Sequence, residues 1–209
     1  ALFTVEVPQQ LYVVEYGSNV TLECRFPVNG SLNVGLLTVV WELKRQGQTK
    51  EVYTLRYGKE FPLSQHRDYV GRAALMRGEL KFGQALLQIT GVKITDAGSY
   101  LCLIDYQGVD YKYITLEVKA SYKRINTQVI KQASEDKFVF MCQSEGFPLA
   151  EVFWKNEKNF NLSRYANTTY TLTADGLYNV TSILTFKTNI SENYSCMFWN
   201  KELNGETSA

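Results

Sequence analysis

Apolar and polar residues alternate with a period of two around four points along the chain. Val20, Leu22 and Cys24 fall on one side of an extended segment, with Asn19, Thr21 and Glu23 on the other. Tyr100, Cys102 and Ile104 repeat the pattern, as do Phe138, Phe140 and Cys142, and Tyr194, Cys196 and Phe198. Successive side chains of a strand point to opposite faces, so this period predicts strands with one buried side and excludes helices there. The same parity in Val39, Trp41 and Leu43 and in Ile114, Leu116 and Val118 predicts two more strands. The expected fold class is all-β.

Each half of the chain then repeats one order of residues. Trp41 follows Cys24 and Trp154 follows Cys142, and a tyrosine stands two places before each second cysteine, in DAGSYLC and in NYSC. Cysteine, core tryptophan and Tyr-x-Cys in that order is the pattern of an immunoglobulin sandwich, in which the indole packs on a disulfide between the sheets. The pattern predicts that Cys24 pairs with Cys102 and Cys142 with Cys196. The separations differ, 78 residues in the first half and 54 in the second. The longer gap leaves room for the extra C′ and C″ strands of a variable-type domain, and the shorter suits the seven-strand constant type. Two tandem immunoglobulin-like sandwiches are therefore expected, variable-type over 1–119 and constant-type over 123–209, with a short linker at 120–122. The junction KASYKR contains neither glycine nor proline, which predicts a stiff connection. Arg72 and Asp96 match the arginine and aspartate that pair at the bottom of variable-type domains.

Parity also predicts which side chains face solvent. With Tyr100, Cys102 and Ile104 inward on strand F, Leu101, Leu103 and Asp105 turn out. With Ile114, Leu116 and Val118 inward on strand G, Val109, Tyr111 and Tyr113 turn out, and on strand C Thr38, Val40 and Glu42 do so. Strands C, F and G belong to one sheet. Its outer surface is expected to carry a centre of Val40, Leu103, Val109, Tyr111 and Tyr113 with a rim of Glu42, Asp105, Asp110 and Lys112. An apolar, aromatic centre inside a charged rim is the anatomy of a protein interface.

Composition sharpens this picture in three ways. With 45% apolar and 13% aromatic residues the 209-residue chain can fill two cores. The 22 basic and 21 acidic residues leave a net charge of +1, and no run of Lys or Arg exceeds two, so no nucleic-acid partner and no polybasic membrane anchor is expected. Seven Asn-x-Ser/Thr sequons stand at Asn19, Asn29, Asn161, Asn167, Asn179, Asn189 and Asn193, and together with the expected disulfides they predict an extracellular glycoprotein. Their concentration in the second half points to solubility and shielding. None lies between residues 32 and 160, which leaves the proposed face clear. No apolar run approaches the roughly 20 residues that span a bilayer, so the sequence reads as a processed, truncated ectodomain with its transmembrane segment elsewhere. No cysteine stands in close-ligand spacing and His66 is the single histidine, so neither a metal nor a cofactor is expected. An enzyme is not expected either, since no free thiol and no phosphate-binding glycine loop accompanies His66.

The stretches LFTVEVPQQLYVVEYGSNVTLECRFPV, VVWEL, ALLQITGVKITDAGSYLC and DYKYITLEVKASYKRIN closely resemble the programmed death ligands of the butyrophilin-related B-seven family. The resemblance runs from Leu2 to about Ala209. The first domain, with Trp41 and YVVEYGSN, is more similar to one of the family's two ligands. The second, with PLAEVFW, GLYNVTS and SCMFWN, is more similar to the other. The resemblance implies a type I membrane protein of the cell surface that binds the inhibitory receptor programmed cell death protein one and restrains T cells. A different adhesion or costimulatory ligand of the same fold is the alternative. By matching strands C, F and G, the family's receptor contacts fall here on Thr38, Val40, Glu42, Leu103, Asp105, Val109, Asp110, Tyr111, Lys112 and Tyr113, with Phe3 at the rim. The segment ELKRQGQTKEVYTLRYGKEF departs from both ligands, with extra residues in the C′ to C″ region, and Glu42 at its start is the one contact carried over within it.

Overall fold

The computed structural model describes residues 2–132, 137–187, 192–200 and 205–208. The chain divides into two compact units, Ala1–Val118 and Lys119–Ala209.

Among the described residues the first unit contains β1 (Leu11–Glu15), β2 (Val20–Arg25), β3 (Thr38–Arg45), β4 (Gln48–Arg56), β5 (Lys59–Glu60), β6 (Ala73–Leu75), β7 (Gln84–Ile89), β8 (Gly98–Asp105) and β9 (Val109–Lys119). They form a front sheet in the order β1-β9-β8-β3-β4-β5 and a back sheet in the order β2-β7-β6. The extra strands β4 and β5 make this the variable type, as the 78-residue gap predicts. Both hairpins of the β3-β4-β5 region turn through two residues with positive φ, Gln46-Gly47 (51° and 75°) and Tyr57-Gly58 (47° and 78°). That is the turn whose twist matches the strands it joins. Gly58 is required for a second reason: a Cβ there would stand 2.6 Å from the carbonyl oxygen of Val34.

Between the sheets, Leu22, Leu37, Val39, Trp41, Leu43 and Ile104 are fully buried around the Cys24–Cys102 disulfide, which ties β2 to β8. At the lower end of this core the Tyr100 hydroxyl donates to the carbonyl of Asp96 at 2.6 Å and lies 3.1 Å from the Tyr69 hydroxyl. Burial raises the Tyr100 phenol well above its ordinary pKa, so it stays a neutral donor. The buried Asp96 carboxylate pairs with Arg72 and accepts the Lys93 N–H at 2.8 Å. Arg72 also lies over the ring of Tyr69, 5.5 Å from its centroid.

The second unit contains β10 (Asn126–Gln132), β11 (Lys137–Gly146), β12 (Glu151–Asn156), β13 (Ala166–Leu172), β14 (Tyr178–Lys187), β15 (Tyr194–Asn200) and β16 (Gly205–Ser208). Sheets β10-β11-β14-β13 and β12-β15-β16 reproduce the constant-type layout. Cys142–Cys196 joins them, and Trp154 packs beside it with its indole N–H donating to Ser182 Oγ at 2.8 Å. Tyr194 packs its ring against Phe140 at 4.6 Å, and the neighbouring corner, 188–191, lies outside the described residues. Residues 120–122, expected to be a linker, take part in this unit's packing. Ala120 bridges to Phe147, and Tyr122 is buried, stacks on Phe198 at 5.5 Å and donates to the Pro148 carbonyl at 2.7 Å.

The tyrosine pair yields an ordered prediction. Tyr100→Phe removes a buried donor and strands the Asp96 carbonyl, and is expected to lower the unfolding free energy by about 2 kcal/mol. Tyr69→Phe leaves the Tyr100–Asp96 bond in place and should cost less. Urea unfolding of the two variants checks the order, and equal losses would mean the corner bond is not the main contributor.

Candidate functional site

Strands β3, β8 and β9 lie side by side in the middle of the front sheet, and their register aligns three rows of outward side chains. Thr38 opposes Asp105, which opposes Val109; Val40 opposes Leu103, which opposes Tyr111; Glu42 opposes Leu101, which opposes Tyr113. All nine share the parity opposite to that of Trp41, Cys102 and Ile114, the residues fixed in the core. The face is thus a consequence of what is buried behind it.

Exposure rises from strand C to strand G. Val40 and Leu103 are half-buried, whereas Val109, Tyr111 and Tyr113 are 60%, 52% and 42% exposed. The rings of Tyr111 and Tyr113 meet edge to face with centroids 5.8 Å apart, an arrangement aromatic pairs prefer. Leu101 has the outward parity expected of it but is only 9% exposed, lying directly across the strand pair from Tyr113.

Lys44, on the same outward parity of β3, is a residue that sequence reasoning missed. Its ammonium donates to the Tyr113 hydroxyl at 2.9 Å and sits 5.3 Å from the ring centroid. The hydrogen bond to Tyr113 raises the Lys44 pKa, so the group is cationic at neutral pH. Alternation through Thr38, Val40 and Glu42 was sufficient to find it. The β4-β5 hairpin adds Tyr57, 63% exposed, whose backbone N–H donates to Thr38 Oγ1 at 3.1 Å. That residue lies in the stretch that departs from both ligands, and the resemblance assigned it no contact.

Asp110 and Lys112 are placed differently from the expected rim. Their partners in register are Ile104 and Cys102, so they share the inward parity of β9 and not the face of Tyr111. Lys112 lies 3.6 Å from Asp110, and Asp110 Oδ2 accepts the backbone N–H of Val5 at 2.7 Å. That bond spans 105 residues and holds the N-terminal segment against the start of β9. It is also the main reason the Asp110 carboxyl stays below the ordinary carboxylate range. Phe3 belongs to the same arrangement. Its Cβ is so close to Gly108 that a Cβ on that glycine would come within 2.8 Å, so the phenyl side chain lies on the turn between β8 and β9.

The sequons lie elsewhere. Asn19 is exposed beside β2 of the back sheet and Asn29 in the loop after it, while Asn161, Asn167, Asn179 and Asn193 are in the second unit and Asn189 lies outside the described residues. His66 is occupied in a turn, its Nδ1 accepting the Asp68 N–H at 3.1 Å. The front sheet thus offers a surface of tyrosine rings, aliphatic side chains and separated charges, suited to noncovalent contact.

Two domain families match the chain, the immunoglobulin V-set domain over residues 6–119 and the butyrophilin subfamily 3 member A2-like Ig-C domain over residues 124–208. Among whole proteins, mouse programmed cell death 1 ligand 1 is 42% identical over 96% of this chain and 68% of its own length. The CD276 antigen homolog of Xenopus laevis is 26% identical over 98% of this chain and 67% of its own. In three dimensions the fold resembles bovine butyrophilin, with a TM-score of 0.73 and 21% identity over 100% of this chain and 97% of that one. It also resembles a chain in the crystal structure of ICOS in complex with ICOS-L and an anti ICOS-L VNAR domain, with a TM-score of 0.78 and 23% identity over 98% and 99% of the two chains. Both structural likenesses speak to fold. With V-set and Ig-C matches in tandem and 42% identity to the mouse protein over 96% of this chain, the chain belongs to the programmed death ligand family of immunoglobulin-type ligands and is not an enzyme.

Proposed function

We propose that this chain is the extracellular part of a type I cell-surface checkpoint ligand, which binds the inhibitory receptor programmed cell death protein one and thereby restrains T-cell activation. The mouse relative's name supplies the receptor, and the observation that carries the reading is the outer face of β3, β8 and β9. Its aromatic centre is exposed and contiguous, and it lies within a stretch of chain free of sequons. A tyrosine at such a centre buries much area while losing little rotamer freedom, so it commonly dominates an alanine scan. Contacts are expected from Thr38, Val40, Glu42, Leu103, Asp105, Val109, Tyr111 and Tyr113, joined by Lys44 and Tyr57. Asp110 and Phe3 support the edge by fastening the N-terminal segment to β9.

Binding to immobilised receptor tests this reading. Tyr111→Ala is expected to weaken binding by about 2 kcal/mol, roughly thirtyfold, mainly through faster dissociation. Glu42→Ala should lose less and show its effect chiefly in association rate at low salt. A Tyr111→Ala protein that folds and binds like the wild type would remove the face from consideration.

Asp110→Ala separates support from contact. It should weaken the receptor by less than Tyr111→Ala while deprotecting the Val5 amide in hydrogen exchange. Because the folded Asp110 carboxyl titrates below its unfolded value, the clamp contributes above the ordinary carboxylate range of about pH 4 and is lost as pH falls through the lowered folded value. Val5 protection, corrected for intrinsic exchange, should therefore persist at neutral pH and vanish only in strong acid.

A further inference from the structure

The second unit has an outer sheet face of its own, and its register places a sequon on an apolar strip. Across β10, β11, β14 and β13 the residues Gln128, Met141, Ile183 and Asn167 stand side by side. In the adjoining row Ile130 opposes Val139. These positions have the parity opposite to that of Cys142, Ser182 and Leu184, which are buried between the sheets. Ile130 and Ile183 are 50% and 39% exposed, and Met141 and Val139 are half-buried, so the strip is accessible. A contiguous apolar strip on an open sheet face invites association unless something covers it.

The neighbouring polar residues are engaged with one another. Asn126 Nδ2 donates to Gln143 Oε1 at 2.7 Å, and Gln143 Nε2 donates to Asn179 Oδ1 at 2.6 Å. Asn167 differs in position. It is exposed, it is the Cα partner of Ile183 one strand away, and it opens the triplet Asn167-Thr168-Thr169. Directly opposed side chains on adjacent strands have Cβ atoms about 5 Å apart, so the first sugar on Asn167 begins beside Ile183 and within reach of Met141. The two buried disulfides place folding in an oxidising compartment, where such acceptors are modified.

We propose that Asn167 carries an N-linked oligosaccharide whose inner sugars lie over the Ile183–Met141 strip and keep this face from pairing with a second copy. In the modification the Asn167 amide nitrogen forms a bond to the anomeric carbon of an oligosaccharide held on a polyprenyl pyrophosphate. The carbon–oxygen bond to that pyrophosphate breaks, the lipid pyrophosphate leaves with the bonding pair, and the amide proton passes to a base of the transferring enzyme. An inner N-acetylglucosamine is amphipathic: its C–H face and acetyl methyl cover the isoleucine and methionine while its hydroxyls keep contact with water. The Asn179 sequon is the internal comparison. It lies on the same face but in the polar rows, opposite Glu145 and Thr171, so a glycan there adds bulk without starting on the strip.

The test uses the full chain secreted from glycosylating cells. Glycopeptide mass spectrometry should find Asn167 occupied. Asn167→Gln and Thr169→Ala, which both remove the sequon, should each tighten self-association by about tenfold in sedimentation velocity. Asn179→Gln should leave the chain as monomeric as the parent. Adding Ile183→Thr to Asn167→Gln should restore the parental behaviour, and trimming all glycans to their first sugar should preserve it. An unoccupied Asn167 would overturn the proposal. So would an Asn167→Gln protein that associates no more than Asn179→Gln, or one whose association survives Ile183→Thr.

Discussion

The outward face of the front sheet's central strands follows from the burial of Cys102. Once its sulfur is tied to Cys24 between the sheets, the parity of β8 is set, and hydrogen-bond register passes that parity to β3 on one side and β9 on the other. A slip of one residue would turn Tyr111 and Tyr113 into the core and expose Ile114, so the register is strongly specified. The disulfide closes a 78-residue separation, and loops of that length restrict the unfolded chain enough to contribute about 4 kcal/mol on the chain-entropy account. The same constraint acts through Cys142 in the second unit, where Met141 and Gln143 are turned outward as a consequence.

One architecture therefore produces two unlike faces. On the front sheet of the first unit the outward positions hold tyrosines, aliphatics and isolated charges, within a stretch free of sequons. On the outer sheet face of the second unit the outward positions hold Met141 and Ile183 beside Asn167, and Asn179 two rows away. Both surfaces expose apolar area, and they differ in whether a sugar can be attached beside it. The face proposed for binding is the one whose strands carry no acceptor for such a cover.

Much of this was legible in the sequence because it depends on periodicity. The alternation around the four cysteines, the two tryptophans and Tyr-x-Cys specify the sandwich, and the same alternation places Val40, Leu103, Val109, Tyr111 and Tyr113 together. What the sequence hid is of another kind. Leu101 has the right parity, but whether a neighbouring ring covers it depends on the side chain across the strand pair. Asp110 and Lys112 lay in the expected rim by proximity in sequence, while strict alternation turns them to the other face. The clamp from Asp110 to the Val5 N–H joins positions 105 residues apart through a backbone donor, which leaves no residue pattern to read. Tyr122 is similar. Its place in the second unit's core depends on Gly146, where a side chain would stand 2.6 Å from the tyrosine ring, and on the Pro148 carbonyl.

Tyrosine at the centre of the front face suits the binding role proposed for it, because a binding surface meets a conflict. Strong contact needs desolvated apolar area, yet the free protein must keep that area in water. A phenol offers both, since its ring supplies area and its hydroxyl remains hydrated or hydrogen-bonded. Tyr113 shows the second half of the solution. Lys44 donates to its hydroxyl and lies over its ring, and Tyr113 in turn is the register partner of Leu101, the most apolar outward side chain of that row and only 9% exposed, while its ring meets Tyr111 edge to face. The Lys44 side chain is itself exposed, so the cation contacts solvent as well as the Tyr113 hydroxyl. The face is thus held in shape by the core behind it, and Leu101 is kept from water beside a ring whose hydroxyl is hydrogen-bonded to a cation.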